Sequence, residues 1–305
     1  MNENLYLILI SITVIMILLD LIFSSYFNWG ESLSNLAAWA LGLAIGSLAI
    51  PLITPIYHWA YGNQLFIFDN ASMWTIVAAA LIYDFLYYWY HRLSHAFWPL
   101  WNAHAVHHQA TSLTPSLGLK SSILDFAIIC LVTIPMVLMG FGSQSLIVAL
   151  GIHAIYQIFL HQHWQFSLGY FEQIFNTHNH HALHHAKNKE YLDKNFGSIL
   201  IVWDKLFGTF AKQKQKPVIG ILGSNYAYDP ILSNVMPWFP RKFKLDNTYS
   251  NPYLMVVSYL LVSVLILSWL FSSTKIEALL YCIPALLITH TLLQRLIIRI
   301  NTPNQ

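Results

Sequence analysis

The chain has 305 residues, of which 56% are hydrophobic and only 9% charged, whereas a soluble domain carries roughly 25% charged residues. So little charge cannot cover a water-facing surface, which excludes a soluble globular protein and points to an integral membrane protein. The net charge is only +2, and no nucleic-acid partner is expected.

Residues 1–72 read as two membrane helices, over Leu5 to Phe23 and Leu36 to Tyr57, joined by the polar piece GESLSN. No Lys or Arg precedes the first run and no A-x-A site follows it, so it is expected to stay as a helix rather than be a signal peptide. Gly62 to Asn70 reads as a re-entrant or interfacial piece. The third run, Met73 to Tyr90, contains Asp84 and Tyr88 and continues into His91 and His95. Spacings of four, three and four put these side chains on one helical face. A carboxylate inside a membrane run marks a functional position. Asp84 is therefore expected to accept the free N–H of a metal-binding histidine, the alternative being an ion pair with Arg92.

A first HxxHH follows at His104, His107 and His108. Two further runs, Ile123 to Phe141 and Leu146 to Leu160, form a hairpin that ends at His161 and His163. The polar stretch beyond carries His178 and His180, then a second HxxHH at His181, His184 and His185. After it comes NFGSILIVWDKLFGTF, with Asn195 and Asp204, which reads as ordered and interfacial. Lys212, Lys214 and Lys216 read as a solvated run near anionic headgroups. Tyr253 to Phe271 and Ile276 to Leu293 complete about seven transmembrane helices, within a range of about five to nine. Of the 15 Lys and Arg residues, 12 lie between Arg92 and Lys244. The positive-inside rule then puts both histidine-rich segments on the cytoplasmic face.

Histidines at i, i+3 and i+4 can present two or three neutral nitrogens together. Eight to ten such nitrogens exceed the four ligands of one tetrahedral zinc and suit two metals sharing a site. A carboxylate-bridged di-iron bundle would need Glu-x-x-His, which is absent. HExxH is absent too, so a zinc protease is excluded, and adjacent histidine pairs do not suit haem. Cys130 and Cys282 lack a CxxC, which removes iron–sulfur and zinc–thiolate sites. An all-imidazole two-metal centre remains, and imidazole suits iron. His58, His153 and His290 read as lone structural histidines, His163 and His178 as surface residues or outer neighbours.

The segments DFLYYWYHRLSH, WNAHAVHH, FNTHNHHALHH and YLDKNFGSILIVWDKLFGTF resemble the membrane fatty acid hydroxylase and sterol desaturase superfamily, and most of all its alkylglycerol monooxygenase branch. The resemblance covers roughly Asp84 to Phe210. It implies that His91, His95, His104, His107, His108, His181, His184 and His185 hold two iron ions, with His161 a further ligand. Asp84, Asn195 and Asp204 fall on recurrent family positions and are implied as residues around the ligands or as structural ones, while His180 reads either as a ligand or as a neighbour of the ligands. The implied reaction is O2 activation followed by hydroxylation of an aliphatic C–H of a lipid drawn from the bilayer. Electrons are implied to come from a tetrahydropterin in that branch. No flavin, dinucleotide or ferredoxin motif is present, so the donor is separate.

The expected fold is an all-α integral membrane protein with a cytoplasmic histidine-rich cap holding a dimetal site. It divides into N-terminal helices 1–72, a catalytic core 73–215 and C-terminal helices 216–305. Rival readings are a fatty acid, sterol or carotenoid hydroxylase or desaturase with the same centre, and a histidine-rich metal transporter or sensor. A transporter would spread its ligands along several spans, whereas these gather at one face.

Overall fold

The computed structural model describes residues 29–162, 166–222 and 229–238. Among these residues the chain is helical, with no strand and only two isolated bridges, Phe175 to Leu200 and Ala186 to Ile219. Helix α1, Trp29–Gly46, runs through a 3-10 turn, Ser47–Ala49, into α2, Ile50–Gly62. Helix α3, Met73–Ala96, follows, and α4, Trp98–His108, starts after an extended Phe97 with a proline in its first turn. After a 3-10 turn at Pro115–Leu119 come α5, Asp125–Met139, and α6, Ser143–Leu160. The polar region holds α7, His178–His184, α8, Val202–Leu206, and α9, Pro230–Val235.

Two helical stretches among the described residues are long and apolar enough to cross a membrane, Gly30–Gly62 and Ser143–Leu160. The first contains the expected span Leu36 to Tyr57, and the second is the expected span interrupted by His153 and Gln157. Helix α3 has 24 residues but is diluted by its polar face. Helix α5 has 15, about 22 Å at 1.5 Å per residue, shorter than a hydrocarbon core of about 30 Å. The expected runs Leu5 to Phe23, Tyr253 to Phe271 and Ile276 to Leu293 lie outside the described residues.

The apolar core sits where α2, α3, α5 and α6 meet, around Ala60, Ala79, Tyr83, Met136, Val137, Phe141, Leu146 and Ala149. Small residues on three of these helices let the backbones approach closely. Gly140 ends α5 with φ +112°, a left-handed cap that a side chain would strain. A Cβ there would also collide with the carbonyl group of Phe66. The Gly62 to Asn70 piece thus closes over the α5–α6 hairpin. Asn70 Oδ1 accepts from Gly142 N at 2.6 Å and Ser145 Oγ at 2.8 Å. Its Ile67 side is left 92% exposed.

One expectation fails. GESLSN is no connection between helices; it forms the first turns of α1. Its polar residues are buried against the loop after His108. Glu31 accepts from Thr111 N at 2.8 Å, Thr111 Oγ1 at 3.1 Å and Ser112 Oγ at 3.0 Å. Asn35 Nδ2 donates to Ser116 Oγ at 3.3 Å. A segment with no chemistry of its own therefore ties down the loop that leaves the first HxxHH.

Candidate metal centre

Four helix ends deliver the histidines. His91 and His95 lie in the last two turns of α3, His104, His107 and His108 in the second half of α4. His161 is the C-terminal cap of α6, and His181, His184 and the cap His185 come from α7. They form two groups, each able to offer one ring nitrogen per histidine with these nitrogens within 4.8 Å of one another. The first is His91, His95, His104, His108 and His184; the second is His107, His161, His181 and His185. All nine histidines singled out in the sequence fall in one group or the other.

Helical geometry explains the division. Residues i and i+4 share a face, while a neighbour one position along points about 100° away at 3.6 residues per turn. His104 and His108 accordingly serve the first group and His107 the second, whereas His181 and His185 serve the second and His184 the first. Each HxxHH thus contributes to both groups, with opposite shares. The groups touch where His108 stacks on His185, ring centroids 4.3 Å apart.

Hydrogen bonds fix the tautomers. A carbonyl oxygen only accepts, so a ring nitrogen beside one carries the proton. His91 Nδ1 donates to Phe196 O at 2.8 Å and His184 Nδ1 to Lys194 O at 2.9 Å. His107 Nδ1 donates to Lys120 O at 3.1 Å and His161 Nδ1 to Gln157 O at 2.6 Å. The Nε2 atoms of all four then carry lone pairs in the neutral ring. His91 Nε2 is buried with no hydrogen-bond partner. His107 Nε2 and His161 Nε2 face each other at 3.0 Å, lone pair against lone pair.

Such a contact needs a cation between the nitrogens. A proton is disfavoured, because burial, followed by the neighbouring imidazoles, pushes the ring pKa values of His91, His104, His107, His108, His181, His184 and His185 well below the ordinary 6.5. Burial takes His161 down to about 4. The donor set fits a divalent metal that takes imidazole. Other Nε2 contacts agree: His161 lies 2.9 Å from His181 and 3.1 Å from His185, and His108 lies 3.0 Å from His104 and from His184.

The remaining singled-out residues take other places. Among the described residues Asp84 bonds to no histidine. It accepts from Ile199 N at 2.7 Å, Leu200 N at 3.2 Å and Trp203 Nε1 at 2.8 Å. Arg92 instead donates to Tyr88 Oη and Phe207 O, so neither reading of Asp84 from the sequence holds. Backbone donors of the 196–204 loop occupy the carboxylate because that loop folds onto this turn of α3. Asp204 accepts from Phe196 N at 2.8 Å, Gly197 N at 2.6 Å and Thr209 Oγ1 at 2.6 Å. Asn195 donates to His180 O and Ala211 O and accepts from Ala211 N. Asp84, Asp204 and Asn195 therefore shape the loop that presents Phe196 O to His91.

His180 lies outside both groups, its ring edge on Phe210 with centroids 5.4 Å apart. His153 is buried against Tyr87, 4.2 Å between centroids, and belongs to neither group. His58 lines a cavity of about 240 Å³ with Tyr57, Tyr61 and Cys130, away from the nine histidines. His163 and His290 lie outside the described residues. Sequence reasoning missed Asp193, whose Oδ1 is 3.3 Å from His95 Nδ1. That hydrogen bond holds the Asp193 carboxyl below its usual pKa. It also missed the carbonyls of Lys120, Gln157, Lys194 and Phe196, which no side-chain pattern can reveal.

The family described as Fatty acid hydroxylase matches residues 76–209, a span that contains every residue of both groups. Over these residues the chain is similar to a fatty acid hydroxylase domain. The chain is 34% identical to human alkylglycerol monooxygenase over 183 residues, 60% of this chain and 41% of that protein. It is 35% identical to the Danio rerio alkylglycerol monooxygenase over 150 residues, 49% of this chain and 33% of that one. The ornithine lipid hydroxylase of Rhizobium tropici is 30% identical over 136 residues, 44% of this chain and 41% of that enzyme. The chain thus spans about two-fifths or less of the length of these relatives. No solved structure matches it. The matched span begins inside α3 and ends at Thr209, the residue that donates to Asp204.

Proposed function

We propose that the chain is a membrane-bound, O2-dependent hydroxylase of a lipid alkyl chain. His91, His95, His104, His108 and His184 hold one iron in this reading, and His107, His161, His181 and His185 hold a second. The observation that carries it is the pair of facing lone pairs on His107 and His161, 3.0 Å apart, within the span that matches the fatty acid hydroxylase family. Iron held by these residues would supply dioxygen activation and the oxidising power to break an aliphatic C–H bond, with the electrons drawn from an external reductant. The chain's own residues orient and insulate. The carbonyls of Lys120, Gln157, Lys194 and Phe196 keep protons on Nδ1, burial keeps the rings uncharged, and Asp84 and Asp204 hold the 196–204 loop in place.

The relatives' names support the substrate class. Alkylglycerols and ornithine lipids both join a polar head to an apolar tail, and a tail can reach the site from the bilayer while the head stays wet. An alkylglycerol is the first substrate to test, with a tetrahydropterin as reductant after the alkylglycerol monooxygenase branch. We place the catalytic core at 73–215 in a multi-pass protein of about seven spans, with the histidine cap on the cytoplasmic face. The distribution of Lys and Arg along the chain supports that orientation.

The test is metal content and oxygen uptake of the detergent-purified protein after anaerobic iron loading. About two irons per chain, with uptake that depends on both lipid and reductant, are expected. Zinc that iron cannot replace with activity would overturn the hydroxylase in favour of a metal transporter or sensor.

A further inference from the structure

The two histidine groups are oriented by different means. Three of the five residues in the first group are held by one short loop: His95 by the Asp193 carboxylate, His184 by Lys194 O and His91 by Phe196 O. In the second group, His107 and His161 are held by Lys120 O and Gln157 O, on other elements. The loop is strained. Asp193 and Asn195 both stand at φ +57°, a left-handed conformation that is strained for a residue other than glycine. Together they flank Lys194 and turn three acceptors towards the same histidines.

Asn195 is locked by its bonds to His180 O and Ala211. Asp193 has no comparable lock. It is 71% exposed in its side chain, and one hydrogen bond from a neutral ring to an exposed carboxylate contributes too little to offset left-handed strain. Among the described residues it is the one carboxylate within ion-pair distance of any of the nine histidines. A carboxylate on the far N–H of a ligating histidine fixes the ring's direction and raises its basicity towards metal. Its exposure also means that replacing it disturbs no packing.

Resting on the two-metal reading above, we infer that Asp193 is a positioning residue for one metal only, the one held by His91, His95, His104, His108 and His184. The two metals are then unequal, and the loop Asp193 to Phe196 sets the affinity of the first without touching the second.

The test uses full-length protein in detergent, stripped of metal and titrated anaerobically with cobalt(II) at neutral pH. The readouts are the ligand-field absorption and cobalt retained per chain. Wild type is expected to bind two equivalents. Asp193→Asn, which tolerates the left-handed backbone, and Asp193→Gly, which relieves it, should each bind one equivalent as wild type does and the other about 10- to 100-fold more weakly. Asp193→Gly should melt no lower than wild type, which separates histidine orientation from support of the fold. Adding His107→Ala to Asp193→Asn should remove the surviving equivalent.

Two unchanged sites in Asp193→Asn, or equal weakening of both, overturn the inference while the two-metal reading stands. So does a surviving equivalent removed by adding His184→Ala rather than His107→Ala. Wild type that binds fewer than two equivalents overturns the two-metal reading itself and this inference with it.

Discussion

Gly118→Ala should damage the second metal group from outside it. A Cβ at Gly118 would lie 2.9 Å from the carbonyl carbon and oxygen of Gln157 and 2.9 Å from Ile158 Cα. All three are backbone atoms of α6, so no rotamer change relieves the clash. Restoring ordinary contact at about 3.4 Å or more needs a separation of at least about 0.5 Å, and overpacking of this kind costs about 1–3 kcal/mol. The atom that must move is itself functional: Gln157 O accepts from His161 Nδ1 at 2.6 Å. On the other side of the contact, Lys120 O, two residues beyond Gly118, accepts from His107 Nδ1. Both acceptors displaced by the methyl group serve the second group, and neither serves the first. The cobalt titration should therefore show loss at the site opposite to that of Asp193→Asn, by about 10- to 100-fold, together with a lowered melting temperature. Unchanged melting and two unchanged sites would refute the packing argument.

His184→Ala and His107→Ala remove ligands from the first and second groups respectively. Each should cut metal content to about one per chain or less and abolish turnover while the protein remains in the membrane fraction; turnover retained by either would sink the ligand assignment. Asp84→Asn places an amide opposite three N–H donors. It should lower stability by about 1.5–3 kcal/mol, read from thermal unfolding of the metal-free protein, and an unchanged melting temperature would refute that role. The buried histidines have folded-state pKa values below the unfolded value of about 6.5, with His161 at about 4. Above about pH 6.5 both states are neutral at these sites and their stability is fully present. As pH falls from there towards 4, the unfolded chain takes up protons first and metal-free protein should lose stability. Denaturation midpoints that rise on acidification would contradict the sign.

The candidate ligands stand out in the sequence because histidine at i, i+3 and i+4 has few structural uses and recurs here twice. Their assignment to two centres is not. HxxHH looks like one cluster until the 100° step between His107 and His108 is combined with the positions of α3, α6 and α7, which are set by tertiary packing. Asp84 shows the opposite limit. Its place in an apolar run correctly implies that it has partners, but these are backbone N–H groups at Ile199 and Leu200, over a hundred residues away and without a sequence signature. GESLSN misleads because its polar residues suit a connection as well as a helix buried against another polar loop. Asp193 escapes notice because an exposed aspartate is ordinary until its φ of +57° is known.

The proposed two-metal reading raises one physical problem: nine neutral ligands would cancel none of the charge on two divalent ions. Carboxylate-bridged centres solve it with acidic ligands. Here the two nearby buried aspartates, Asp84 and Asp204, are bound to donors of the 196–204 loop and cannot serve. The fold offers another source of negative potential. His95 is in the last turn of α3, His107 and His108 in the last turn of α4, His161 caps α6, and His184 and His185 end α7. Four helices therefore point their C-terminal ends at the site, each carrying up to about half a negative charge on its last carbonyls. One of those carbonyls, Gln157 O, already faces a ligand as the acceptor for His161. Ligands drawn from helix N-termini with the same spacing would meet the opposite potential. In the two-metal reading, the position of the histidines at the ends of their helices thus matters as much as their spacing.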